Sequence, residues 1–196
     1  MQVRVAVVVG AVMASALVMA QGQQRLARGT AVVEIGGKKV SIDYGRPQLK
    51  GRALADLMKQ LPADRIWRAG ENEVTTFTTD AELVIGGKRV AAGKYSLYVH
   101  APEQGDWALV LNSDPGIPLG KIWAQAPPER ASLPWPRLDG YDKIAASEVV
   151  RAAMTRGSGS NVEEAFTVRL SPQAGGAVLE MAWGDQLWSL GLKAAK

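Results

Sequence analysis

The side chains best suited to chemistry fall in three connections early in the chain. Asp43-Tyr44-Gly45-Arg46-Pro47 ends an extended run, and Gly51-Arg52 precedes a helical pattern. Trp67-Arg68-Ala69-Gly70-Glu71-Asn72-Glu73 then leads into a second extended run at 74–79. Arginine presents a planar fork that fits a carboxylate or phosphate, and paired carboxylates can divide acid and base roles if one is held protonated. Arg46, Arg52, Trp67, Arg68, Asn72 and Glu73 are therefore the candidate ligand-binding residues, and Asp43 with Glu73 the candidate catalytic pair. The same residues admit an architectural reading, in which Arg46 and Arg68 pair with Asp43 and Glu73 and lock two loops to a sheet. His100, the single histidine, is a third catalytic candidate as a general base, or else an exposed strand-end residue.

Other chemistries fail on composition and spacing. The chain has no cysteine, which excludes disulfides, cysteine nucleophiles and Cys-ligated zinc. One histidine excludes multi-histidine metal sites, and no serine sits in a Gly-x-Ser-x-Gly elbow. Gly116-Ile117-Pro118-Leu119-Gly120-Lys121 has three residues between its glycines rather than four, and Ile122 stands where a phosphate loop needs Ser or Thr. Asp139-Gly140-Tyr141-Asp142 supplies too few oxygens for a calcium loop and reads as a turn. No metal and no cofactor is expected. The 23 basic and 19 acidic side chains give a mild positive excess, scattered over Lys38-Lys39, Lys88-Arg89 and Arg151. Nucleic acid is not an expected partner, since it requires a concentrated basic face. A small molecule, a glycan or an envelope component is, and the oligomeric state stays open.

The elements that must hold these residues alternate with period two. Val40, Ile42 and Tyr44; Tyr95, Leu97 and Val99; Phe166, Val168 and Leu170; and Leu179, Met181 and Trp183 each line one face of a strand. Gly36-Gly37, Gly86-Gly87, Gly105-Asp106, Gly175-Gly176 and Gly184-Asp185 supply turns. Ile35-Gly36-Gly37-Lys38-Lys39-Val40 recurs as Ile85-Gly86-Gly87-Lys88-Arg89-Val90, which reads as two equivalent hairpins. Leu54, Leu57, Met58 and Leu61 have helical spacing up to Pro62 and predict one helix of about ten residues. The expected fold is mainly β: an antiparallel β-sandwich or jelly roll with one short helix, a closed barrel being second. Residues 113–144 carry six of the ten prolines together with Trp123, Trp135 and Tyr141, and predict a long loop that is either a lid or a packed flap.

Residues 1–20 read as a secretory signal peptide. Arg4 precedes an uncharged apolar run too short to span a bilayer, and Val18-Met19-Ala20 offers a cleavage site after Ala20. Residues 21–29 follow as a flexible mature N-terminus, and 30–196 as a single β-rich domain. No transmembrane helix is expected after cleavage.

The blocks at 33–47, 49–52, 66–73 with 75–77, and 92–98, with Trp107 to Asn112 and Leu179-Glu180-Met181-Ala182-Trp183-Gly184, occur in an order that resembles the secreted bacterial family called domain of unknown function 2911. The resemblance implies an exported β-rich domain and supplies no reaction, cofactor or partner. The sequence reading is thus a periplasmic or secreted, non-catalytic sandwich that binds a small polar or envelope ligand. A carboxylate-dependent, hydrolase-like enzyme using Asp43 and Glu73 and a purely structural envelope protein are its rivals.

Overall fold

The computed structural model describes residues 28–137 and 140–195, the side chains of 158–161 excepted. Residues 1–20, where the sequence predicts a leader, lie outside the described residues, as do 21–27. Strands β1 (Gly29–Ile35) and β2 (Lys38–Tyr44) form a hairpin in which Ile35 pairs with Lys38. Its two central residues, Gly36 and Gly37, have φ of 59° and 74°, the double positive φ that a tight hairpin turn demands and that glycine adopts without strain.

After β2 the chain crosses between layers. Phe166 N–H donates to Pro47 O and Leu49 N–H to Glu164 O, both at 2.9 Å, so residues 47–49 lie along a strand of the opposite sheet. The short helix α1 (Leu54–Met58) follows, then β3 (Ile66–Trp67), β4 (Thr76–Thr79), β5 (Leu83–Ile85), β6 (Lys88–Val90), β7 (Gly93–His100) and β8 (Ala108–Asn112). Two short strands, β9 (Ile117–Pro118) and β10 (Pro134–Trp135), pair with each other; β11 (Glu148–Ala153), β12 (Thr155–Gln173) and β13 (Gly176–Ala194) complete the chain.

The first sheet runs β1-β2-β4-β7-β8-β11, with β3 also paired to β7, and the second runs β12-β13-β5-β6. Every pairing is antiparallel. Period-two side chains from both sheets meet in one core: Val40, Ile42, Phe77, Leu97, Val99, Leu109 and Leu111 from the first, and Leu83, Ile85, Phe166, Leu179, Met181 and Leu192 from the second. Tyr44 also joins the layers, its Oη accepting from Val168 N–H at 3.0 Å. The protein is a mainly β, antiparallel, sandwich-like fold, as its alternation predicts. Among the described residues no helix is long and apolar enough to cross a membrane.

Three local expectations are corrected. Gly184-Asp185 is not a turn: β13 continues through it, with Gly184 at φ 61° where the register against β12 shifts. Glycine's positive φ serves a bulge here rather than a reversal. The last hairpin turns at Ala174-Gly175, one residue earlier than expected, since Gln173 pairs with Gly176. The helix is a single turn of five residues without a side-chain N-cap. Gln60 and Leu61 continue with tighter bonds to Leu57 and Met58 carbonyls, and a segment this short gains its order from packing Leu54 and Met58 into the core.

Candidate functional site

Asp43 stands on the face of β2 opposite the core residue Ile42, paired with Thr76 of β4. Glu73 comes from the connection that follows β3. That connection folds back sharply, with Ala69 and Asn72 at φ 50° and 64° and Thr75 Oγ1 donating to Ala69 O at 2.9 Å. It lies directly on the end of β2. A Cβ on Gly45 would collide with the Glu71 backbone, its nitrogen 2.6 Å away, and one on Gly70 would stand 2.7 Å from Thr75 Oγ1. Two glycines thus let the Gly-Arg-Pro and Trp-Arg-x-Gly segments touch backbone to backbone.

Arginines bind both carboxylates, but not the expected ones. Arg28 Nε donates to Asp43 Oδ1 at 2.6 Å and its Nη1 to Glu73 Oε2 at 3.2 Å. Arg130 Nη2 donates to Glu73 Oε1 at 3.0 Å, and its guanidinium lies 5.6 Å above the Trp135 ring. Arg46 and Arg68 have no part in these pairs. Arg28 and Gly29, placed by sequence in the flexible N-terminal stretch, are both engaged, Gly29 by pairing with Tyr44.

Arg130 belongs to the proline-rich stretch, which lies across the outer face of the first sheet. Val74 N–H donates to Pro134 O at 2.9 Å, and Asn112 Nδ2 donates to Ile144 O at 2.8 Å and Tyr141 Oη at 3.2 Å. Tyr98, Val110, Tyr141 and Ile144 form a small second core beneath it. This cover explains why all five residues of β8 are buried, whereas a strand with one wet face would alternate.

Between α1, β3 and the end of this flap runs a groove of about 840 Å³, within the size range of small-molecule sites. Arg52, Trp67 and Arg68 line it, as do Glu71, Tyr98, Arg137 and Trp183. Trp67 and Trp183 stack with ring centroids 5.3 Å apart, and Phe166 meets the edge of Trp67 at 4.8 Å. Both indoles are nine-tenths buried or more, so they offer the groove edges rather than faces.

The polar groups of this groove are the unusual feature. Buried polar atoms in folded proteins nearly always find a partner. Yet Trp183 Nε1, Arg137 Nε and Tyr98 Oη are buried without a hydrogen-bond partner. Asp114 lies 3.8 Å from Arg137 Nε, beyond hydrogen-bonding reach. Ser96 Oγ, the nearest protein acceptor for Tyr98, donates to the carbonyls of Asn112 and Asp114. Burial pushes the Tyr98 phenol above its ordinary pKa, the Ser96 hydroxyl opposing the rise. Burial also pulls the Arg68 guanidinium below its ordinary value, against the charge of nearby Glu71. Among the described residues Arg68 has no hydrogen bond or ion pair.

A second groove, of about 920 Å³, lies on the other side of α1 and shares Arg52 and Met58 as walls. Its arginines bond within the protein. Arg52 Nε donates to Leu49 O at 2.8 Å, Arg65 Nε to Ala101 O at 3.1 Å and Arg156 Nε to Gln186 Oε1 at 2.7 Å.

The structure therefore brings Arg52, Trp67 and Arg68 of the sequence candidates to one groove and Asp43 with Glu73 to a separate arginine network. Arg46 lines neither groove and keeps a buried Nε without a partner. Asn72 turns the backbone. His100, at the end of β7 and opposite Ile66, is half-buried. Burial, then Arg151, hold its imidazole below the ordinary pKa, with Asp64 and Glu148 opposing and Arg65 assisting. Sequence reasoning missed Tyr98, Arg137 and Trp183. Tyr98 and Trp183 stand in the 92–98 and 179–184 blocks, whose alternation points to strands and whose order carries the family resemblance, neither of which marks a ligand contact.

Comparison with curated proteins gave no match, and comparison with solved structures gave none. A family model described as "Protein of unknown function (DUF2911)" matches residues 27–192, spanning both sheets, the flap and the groove, and the chain belongs to that family.

Proposed function

We propose that this chain is exported, its first twenty residues removed after Ala20, and that in the periplasm or outside the cell it binds a small polar or envelope-derived ligand in the groove without transforming it. Export is supported by Arg4 followed by an uncharged apolar run, and by a chain free of thiols that could mispair in an oxidising compartment. Binding is carried by one observation: a groove of ligand size with buried donors that lack protein partners, beside one whose arginines have them. An unmet buried donor costs about 1–3 kcal/mol, and a ligand that supplies acceptors recovers part of that.

The carboxylate-enzyme reading needs Asp43 and Glu73 facing each other across a pocket. They are close, but through the Arg28 guanidinium that binds both, which favours an architectural role for the pair. The test is a screen of soluble sugars, cell-wall fragments and short peptides against the mature chain, by thermal shift and by amide chemical shifts. Hits should move the amides of Ile66, Arg68 and Tyr98 and lose affinity at least tenfold in Arg68→Ala. Hits that map elsewhere, or that bind Arg68→Ala unchanged, refute the site.

A further inference from the structure

The unmet groups of the groove are chemically one-sided. Trp183 Nε1 and Arg137 Nε can only donate a hydrogen bond, and Arg68 carries a cation with no ion pair among the described residues. Tyr98 Oη can donate as well. Of the carboxylates that line the groove, Glu71 acts on Arg68 through its charge without a bond to it, and Asp64 is already used in part. Asp64 Oδ1 accepts from Ile66 N–H at 3.0 Å and its Oδ2 from Tyr141 N–H at 3.4 Å. Opposite these donors, α1 and the turn after it present Leu57, Met58 and Leu61 to the same groove. One wall thus asks for negative or acceptor atoms while the other asks for hydrocarbon.

On the reading that this groove is a ligand site, we infer that its ligand is an amphiphilic organic acid: an anionic head met by Arg68 and the unmet donors, and an apolar body laid against α1. Arg68 is the discriminating residue, because a guanidinium prefers an oxyanion over a hydroxyl and repels an ammonium. Trp183, only 4% exposed, gains the partner that the protein withholds. A neutral sugar would fill the donors less well and leave the apolar wall wet.

The test uses three probes with one body and different heads: sodium octanoate, octan-1-ol and octylammonium chloride, titrated into the mature chain by calorimetry and amide chemical shifts. Octanoate should bind at least tenfold more tightly than octan-1-ol, weaken as salt is raised, and move the Trp183 indole N–H, which Trp183→Phe identifies. Octylammonium should bind most weakly. Arg68→Gln should erase the octanoate advantage and leave octan-1-ol unchanged; if that variant unfolds, Arg137→Gln should reduce the advantage several-fold. Equal or tighter binding of octan-1-ol or octylammonium overturns the acid assignment. So does octanoate that shifts the second groove instead. If neutral sugars or peptides occupy this groove while octanoate does not, the ligand class is wrong and the site stands. If nothing occupies it, the site itself is wrong.

Discussion

Replacing Glu73 should cost the fold much more than replacing a surface carboxylate. Its side chain is 14% exposed and binds Arg28 and Arg130, themselves 28% and 24% exposed. A hydrogen bond to a charged group is worth about 1.5–3 kcal/mol, and removing one member of a buried pair costs about 3–5 kcal/mol. The partial exposure of both arginines lets water replace some of the loss. Glu73→Gln should therefore destabilise by about 2–4 kcal/mol, a fall in Tm of roughly 5–15 °C for a domain of this size. Urea titration and calorimetry read the total. Hydrogen exchange reads its location, because the Val74 N–H bonded to Pro134 O at 2.9 Å should exchange faster once Arg130 is released. A double-mutant cycle of Glu73→Gln with Arg130→Met should show coupling of about 1–2 kcal/mol. A fall in Tm below about 2 °C, with Val74 exchange unchanged, would mean that this network does not hold the flap.

Arg68 should behave in the opposite way. A desolvated cation without an ion pair contributes little to folding, so Arg68→Ala should change stability by less than about 1 kcal/mol or raise it, measured by the same urea titration; a large loss would make Arg68 a staple. The two glycine environments should separate cleanly. Gly45→Ala meets the Glu71 backbone and should reach the upper end of the roughly 1–3 kcal/mol typical of overpacking. Gly51→Ala, at φ 74° with nothing within 4 Å, should cost about 1 kcal/mol through backbone strain alone. Thermal melts of both variants decide it. His100 should give stability a pH slope. Its folded-state pKa lies below the ordinary 6.5, so below pH 6.5 the unfolded chain takes up the proton first. Stability should fall as pH drops through that window and level off below the folded-state value. As His100 is the only histidine, His100→Gln should flatten the slope between pH 7 and 5.5. Glu148, held below the usual carboxylate range by its bonds to Arg151, burial opposing, should lose its contribution only below about pH 4.5.

The features legible in the sequence are those encoded by one residue and its immediate neighbours. Gly36-Gly37 and Gly86-Gly87 mark their hairpins because two consecutive positive φ values nearly require glycine. Gly184 misleads for the same reason: positive φ is the signal, and a bulge uses it as readily as a turn. Leu54, Leu57, Met58 and Leu61 announce a helix, but its length depends on caps and packing that spacing does not carry. Ala108-Leu109-Val110-Leu111-Asn112 lacks alternation because the flap buries its second face. The partners of Asp43 and Glu73 were out of reach. Arg28 and Arg130 lie 45 and 57 residues from Glu73, and any of 23 cations satisfies charge complementarity equally well on paper. The groove was half legible. Arg52, Trp67 and Arg68 are crowded close in sequence, whereas Tyr98, Arg137 and Trp183 arrive from β7, the flap and β13. That a donor lacks a partner is a property of the assembled surroundings and has no signature along the chain.

The decisive measurement is a crystal structure of the protein purified from its native cells without denaturation. Density should occupy the groove between α1 and the flap, with acceptor atoms in hydrogen-bonding range of Trp183 Nε1 and the Arg68 guanidinium. A co-purified compound seated in the second groove, or a groove closed over so that the protein's own groups meet Trp183 and Arg68, would contradict the assignment.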